Sequence, residues 1–481
     1  MSDAQRDARS DSFGEETELK RDLGPVTATT VIIGGIIGSG IFAGPAIVAG
    51  YVGTSGWNLL VWVICAFMAF CGAVTFAELG GLMPRSGGVY VFLKEAYGRL
   101  WGFLFGWTSL LVIRPCDLAA ISLVFATYLG YFVSQFSPYP DWAMRGVAII
   151  ALIILAFINY VGVRFGGLVQ NLSSFLKVGG LLLMVALAFG ITPDTSNFQP
   201  VWPSDSTLTI GFLSLVSLGM MASFGAYDGW DGSTYVAEEI KNPRRWVPLS
   251  IILGLAITTV VYLLVNSAYL LVLSNEGVAE SERVASETMQ SLVGPIGAAF
   301  IAATAMISTF GTVNAGMLTG PRVFFAMARE KMFFSWVARV HPRYRTPANA
   351  VVFLAAVGIL NIIFLGDWGA IIAARTGSLW LFYITTTFSV FIFRRTRPDV
   401  PRPYRTLGYP VTPAIFVLIG VIFFVSIVIS DPGNTLIGLT ITSLGIPAYW
   451  LWMRNRRNEE SGDESGEGSP EGSPEGSGND R

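Results

Sequence analysis

Long apolar runs separated by short polar segments occupy almost the whole chain. The runs stay apolar at every position, where a barrel strand would alternate, and most reach the ~20 residues that a helix needs to cross a bilayer. About twelve helices are predicted, near 26–50, 56–80, 99–133, 143–162, 167–191, 209–236, 247–273, 291–328, 348–366, 369–393, 411–430 and 434–453. The third and eighth exceed the required length, so each tilts or extends beyond the bilayer. Residues 1–22 and 458–481 lie outside this pattern. The second stretch repeats Glu-Gly-Ser with interspersed prolines. Neither stretch can bury a core, and both are predicted to be disordered tails on a body spanning 23–457.

Composition agrees with this reading. The chain is 52% hydrophobic and 13% charged, with a mean hydropathy of +0.57, whereas soluble domains carry about 25% charged residues. A soluble enzyme, a collagen-like chain and a disulfide scaffold are excluded. Cys65, Cys71 and Cys116 sit in apolar runs, which suits unpaired packing. The acidic N-terminus is not a signal peptide. The net charge of −2 hides a split: the tails carry −3 and −7, so the body carries +8. Of the 31 Lys and Arg residues, 27 fall in the tails and in alternate connections, a set that includes Lys177 and Arg322. The opposite loops hold Arg145 and Arg283, while Arg114 and Arg375 lie inside predicted spans. The excess of bases marks the cytoplasmic side, so both termini are predicted cytoplasmic in a plasma or inner membrane.

Two spans carry glycine clusters at membrane depth. The first contains Gly34-Gly35-Ile36-Ile37-Gly38-Ser39-Gly40-Ile41-Phe42, with Pro45 a turn later; the sixth contains Phe224-Gly225-Ala226-Tyr227-Asp228-Gly229-Trp230-Asp231-Gly232. Backbone irregularity within the hydrocarbon region is tolerated only around a cavity or inside protein. Small residues also serve close helix packing, but matched interruptions five spans apart point to inverted repeats. The predicted repeats are about 24–191 and 207–395, with helices 411–453 appended. A half-helix starting after Gly38 offers free N–H groups and a positive dipole end to a carboxylate. Carbonyls at Ile36, Ile37, Gly225 and Ala226 suit an ammonium. Together these describe a free α-amino acid. No Gly-Lys-Ser/Thr follows the glycines, so no phosphate loop is present, and no cofactor, metal site or nucleic-acid partner is implied.

These motifs resemble those of the amino acid–polyamine–organocation transporters. Ile113-Arg114-Pro115, Ser122–Leu129, the stretch from Tyr227 to Pro248 and Gly311-Thr312-Val313-Asn314 with Arg322 and Phe324-Phe325 narrow the resemblance to the L-type branch. It covers residues 24 to 455. It implies an all-α, LeuT-like 5+5 fold with broken helices one and six, and substrate between them. Amides near Ser39, Gly40 and Ile41 would hold the carboxylate, and carbonyls of Ile36, Gly225 and Ala226 the amine. Lys177 matches the lysine that stands where sodium-coupled relatives bind an ion, which implies sodium independence; a cytoplasmic flank is the other reading of Lys177.

Three departures from the family pattern stand out. The family's aromatic gate falls at Gly225, whereas here Phe224 precedes it, turned by about 100° on a helix. Asp228 replaces a small residue and resembles the aspartate of dibasic-accepting relatives. The loop 134–142 has no cysteine for a disulfide-linked heavy-chain subunit, so none is expected.

Charges inside spans need a role or a partner. Arg114 and Asp117, three apart on one helix, are expected to pair. Glu78 is expected to pair with a cytoplasmic-side arginine. Asp231 either faces the substrate path or caps the break. If Arg375 neutralises Asp228, neutral substrates are favoured; if not, cationic ones. His341, the single histidine, lies in a loop, so no histidine relay sits in the membrane. The function expected is a secondary-active permease of neutral or broad specificity, with cationic substrates as the alternative. It would work by alternating access as an exchanger or proton symporter. A non-transporting sensor of the same fold is the rival. No catalytic grouping suggests an enzyme.

Overall fold

The computed structural model describes residues 13–14, 17–133, 139–192, 194–203, 209–364 and 368–466. Among these the secondary structure is helical, with one isolated parallel bridge, Leu23 to Ile240. The first predicted span is two helices, α1 (Pro25–Ile36) and α2 (Gly40–Val52), bent by 41° across a break at 37–39. Then come α3 (Ser55–Leu82), the short α4 (Val89–Tyr97), α5 (Arg99–Val133, with a π-turn at Ser109–Ile113), α6 (Asp141–Val161) and α7 (Val163–Ile191). The sixth span is α8 (Ile210–Tyr227), followed by a break and the one-turn α9 (Gly232–Tyr235). The remainder is α10 (Pro243–Glu280), α11 (Val284–Val293), α12 (Pro295–Arg329), α13 (Ala348–Phe364), α14 (Trp368–Thr396), α15 (Val411–Ser430) and α16 (Pro432–Gly466).

Among the described residues nine helices are long and apolar enough to span a bilayer, and the bent α1–α2 pair makes a tenth. α8 and α13 are apolar but shorter, so length and composition alone do not reach the twelve expected. The backbone of α10 leaves helical geometry at Ser274, one residue beyond the predicted end of that span. Counterparts five spans apart pack on one another: α2 on α8, α3 on α10, α5 on α12 and α6 on α13. That is the pairing produced by a two-fold axis relating two five-helix units. Peripheral helices such as α6 and α15 keep only 28% of their apolar window buried. They present Ile154, Phe157, Leu418 and Ile429 outward, as a lipid-facing surface requires.

The charged end of the molecule is more ordered than expected. Leu19 and Leu23 are buried, Leu23 N donates to Glu239 O (3.0 Å), and the Thr17 hydroxyl donates to Glu238 (2.9 Å). Residues 17–22 therefore leave the predicted tail and strap the segment around Glu238–Lys241, because Leu19, Leu23 and the backbone hydrogen bonds of Leu23 offset their ordering. α16 likewise continues to Gly466, past the predicted boundary at 458; Arg and Glu propagate a helix once it is nucleated. Residues 1–12, most of the loop 134–142 (134–138) and 467–481 lie outside the described residues. Arg322 is fully buried and bonds Glu239 through Nε and Nη2, both at 2.8 Å. Glu78 pairs as expected, with Arg394 at 2.6 Å and Arg402 at 3.2 Å. All three cysteines are buried and free.

Candidate functional site

The two helix breaks face each other, and glycine is what lets them. A methyl group on Gly40 would sit 2.7 Å from the Ala226 Cα, and one on Gly229 would sit 2.8 Å from the Gly35 carbonyl carbon. Gly229 also adopts φ +111, where a side chain would be strained. Backbone thus meets backbone at mid-molecule.

At the first break the α2 ladder begins with Phe42, whose amide reaches Ser39 O at 3.1 Å. The amides of Ser39, Gly40 and Ile41 precede it and find no acceptor among the described residues. At the second break α8 ends at Tyr227, Asp228 turns to extended backbone, and the chain resumes a helix at Gly232. Between the breaks lies a cavity of about 290 Å³. Gly35, Ile36, Gly38, Ser39 and Gly40 line one wall, and Gly225, Ala226 and Asp228 another.

Three residues expected to line this space do not. Ile37 is buried, and its carbonyl accepts the Lys177 ammonium (2.5 Å) and the Ser308 hydroxyl (3.0 Å). Ile41 is buried with its carbonyl toward Tyr269. Phe224 turns away from the cavity and packs on Trp380 and Phe423, at centroid distances of 4.6 and 6.0 Å. The one-residue offset from the gate position has the geometric consequence that helical periodicity requires.

Lys177 is fully buried and also donates to Gly34 O and Ser308 O, both at 3.2 Å. Thr312 adds hydrogen bonds to Gly34 O (3.0 Å) and Ile37 O (3.2 Å). An ammonium from α7 and two hydroxyls from α12 therefore satisfy the carbonyls released by the first break. The flank reading of Lys177 fails on this geometry.

Tyr262 on α10 is the residue that the sequence did not announce. Its hydroxyl lies 3.0 Å from Ile36 O and 2.9 Å from Ala226 O, joining the two broken helices through one proton. A tyrosine in an apolar span needs a partner for its hydroxyl, and that rule alone could have marked it. Ser308 and Thr312 gave no such signal, because helical hydroxyls can bond their own preceding turn.

The charges form two groups. Arg375 on α14 pairs with Asp228 (2.8 Å) and also with Asp117 on α5; Asp228 takes a second hydrogen bond from the Tyr383 hydroxyl (2.6 Å). Separately, the Arg114 guanidinium lies over the Tyr235 ring at 4.3 Å, and Tyr235 donates to Asp231 at 2.9 Å. The expected Arg114–Asp117 pair is replaced by Asp117–Arg375: a tertiary partner with better geometry displaces the neighbour on the same helix. Asp231 lines the cavity and holds Tyr235.

The amino acid permease family model matches residues 23–448. The serine/threonine exchanger SteT of Bacillus subtilis is 32% identical over 440 residues, covering 91% of this chain and 98% of the exchanger. The human large neutral amino acids transporter small subunit 2 is 33% identical over 462 residues, covering 94% of this chain and 83% of its own. The human cystine/glutamate transporter is 30% identical over 447 residues, covering 91% and 86%. With paired helix breaks around a central cavity and a family match over nearly its whole length, the chain belongs to the amino acid permeases, which are membrane transporters and not enzymes.

Proposed function

We propose that this chain is a sodium-independent secondary carrier that exchanges free L-α-amino acids, of neutral or broader specificity, by alternating access. The observation that carries this reading is the pair of facing breaks. Free amides at Ser39 and Gly40 suit the substrate carboxylate, at the positive end of α2. Carbonyls of Ile36, Gly225 and Ala226 suit its ammonium, which would displace the Tyr262 hydroxyl from two of them. A zwitterion then links the halves whose relative motion opens each side, so loaded and empty carriers differ in their freedom to switch. Exchange follows if the empty carrier, locked by Tyr262, switches slowly. The SteT relative is an exchanger by name, which favours exchange over proton symport.

Lys177 supports sodium independence: its ammonium fills a set of oxygen ligands that a small cation would otherwise require. The alternating charge pattern supports cytoplasmic termini. The test is proteoliposome uptake of leucine, alanine and arginine, with and without internal amino acid and with and without a pH gradient. Uptake that needs internal amino acid, and that persists when choline replaces sodium, is expected. Uptake driven by outside acid alone would replace exchange with symport. Failure to carry any amino acid would overturn the reading.

A further inference from the structure

We infer that Asp117 is a specificity-determining residue: by sharing Arg375 with Asp228 it leaves the cavity one negative charge in surplus, so that neutral and cationic side chains are accepted and anionic ones refused. This deepens, and rests on, the amino acid carrier reading above.

Two carboxylates and one guanidinium form the first charge group. Arg375 Nη2 lies 2.8 Å from Asp228 Oδ2 and 3.2 Å from Asp117 Oδ2. The three side chains keep 17–25% of their surface exposed, so all of them face the cavity and none is sealed in the core. Tyr383 donates a neutral hydrogen bond to Asp228 and cancels no charge. The other cavity arginine does not change the sum. Arg114, stacked on Tyr235, is within electrostatic reach of Asp117, Asp228 and Asp231, so it and Asp231 add one positive and one negative charge to the same wall. The count therefore closes at −1 on the wall formed by α5, the second break and α14.

A substrate cation reaching that wall would complete the pairing of Asp117 or Asp228. A substrate carboxylate would meet two carboxylates that already hold the one guanidinium, and like charges at short range are strongly disfavoured. The three elements that supply the group also come from different parts of the fold, so a substrate drawing Arg375 or Asp117 toward itself pulls on α5, α14 and the second break together.

The charge count makes opposite predictions for variants at two residues, which a purely structural role does not. Uptake of labelled leucine and arginine is measured in proteoliposomes, with glutamate as competitor. In the wild type, arginine competes with leucine and glutamate does not. Arg375→Gln leaves both carboxylates unpaired, and the arginine-to-leucine ratio rises by about tenfold, equal to ~1.4 kcal/mol. Asp117→Asn lets Arg375 neutralise Asp228, and the ratio falls by about as much. The double variant restores the −1 count and with it a ratio near that of the wild type, while Arg375→Lys preserves it throughout. If Arg375→Gln alone loses leucine uptake, Asp117→Asn and the double variant decide. Ratios that stay within about twofold in all variants, with leucine still carried, overturn the inference alone. A wild type that carries no amino acid overturns the carrier reading instead.

Discussion

At the scale of single residues the glycines of the two breaks separate into distinct kinds. Gly40 touches the backbone of Ala226, where an added methyl would force apart the halves of the site. Gly40→Ala is expected to lower uptake at least ~10-fold, in keeping with the large effect of small displacements in a positioned site, while the protein still reaches the membrane. Gly225 has open space around it and lies on the cavity wall. Gly225→Ala should fold normally and act by size, leaving alanine uptake within about twofold while slowing phenylalanine more. Kinetics with the two substrates test both variants. Lys177 is a third kind of residue, held for its contacts rather than its access. Lys177→Met strips the charged donor from three buried carbonyls and leaves them only the Ser308 and Thr312 hydroxyls; hydrogen bonds to a charged group are worth about 1.5–3 kcal/mol each. Uptake should fall below a tenth of the wild-type rate, with a lowered melting temperature in detergent. An unchanged melting temperature would remove the structural account of Lys177.

At the scale of elements, the charged end of the molecule is held by ion pairs between segments far apart in sequence. Glu239, beyond the second break, and Arg322, near the end of α12, are both fully buried and bond through two contacts. Removing one partner of such a pair strands a charge and costs about 3–5 kcal/mol, whereas replacing both by apolar residues can be neutral. Arg322→Met is therefore expected to destabilise strongly, and the double variant Arg322→Met/Glu239→Leu to recover most of the loss in thermal melts. The elements also show what periodicity can and cannot tell. Apolar length placed most of the spans but not their ends: the kink at Ser274 lies one residue beyond a predicted end, and the start expected at 291 falls inside α11. The break positions followed from the glycine clusters. Their exact partners did not: the Arg114–Asp117 pair was the natural reading of three-residue spacing, and Arg375, more than 250 positions away in the chain, took Asp117 instead. Phe224 illustrates the opposite case, since its turning away from the cavity follows from the helical angle alone.

At the scale of the whole molecule, the strap formed by residues 17–23 ties the N-terminal end to the segment after the second break, through Thr17, Leu23 and the Leu23–Ile240 bridge. Deleting residues 1–23 should raise hydrogen exchange of the Lys241 amide by at least ~10-fold, because its acceptor, the Leu23 carbonyl, is removed and local opening becomes cheaper. The sequence by itself determined the membrane class, the helical architecture, the side on which positive charge gathers and the two places where the backbone must break. Each of these depends on composition or local spacing, and burial in lipid leaves few alternatives. Only the tertiary structure decided which groups answer the broken backbone and which answer the buried charges. Tyr262 bridges the breaks, Lys177 is drawn onto Ile37, and Asp117 and Asp228 share Arg375. The physical reason is that pairing of this kind is settled by distance in space between helices, and a buried polar group takes the partner that packing brings to it rather than the one nearest along the chain.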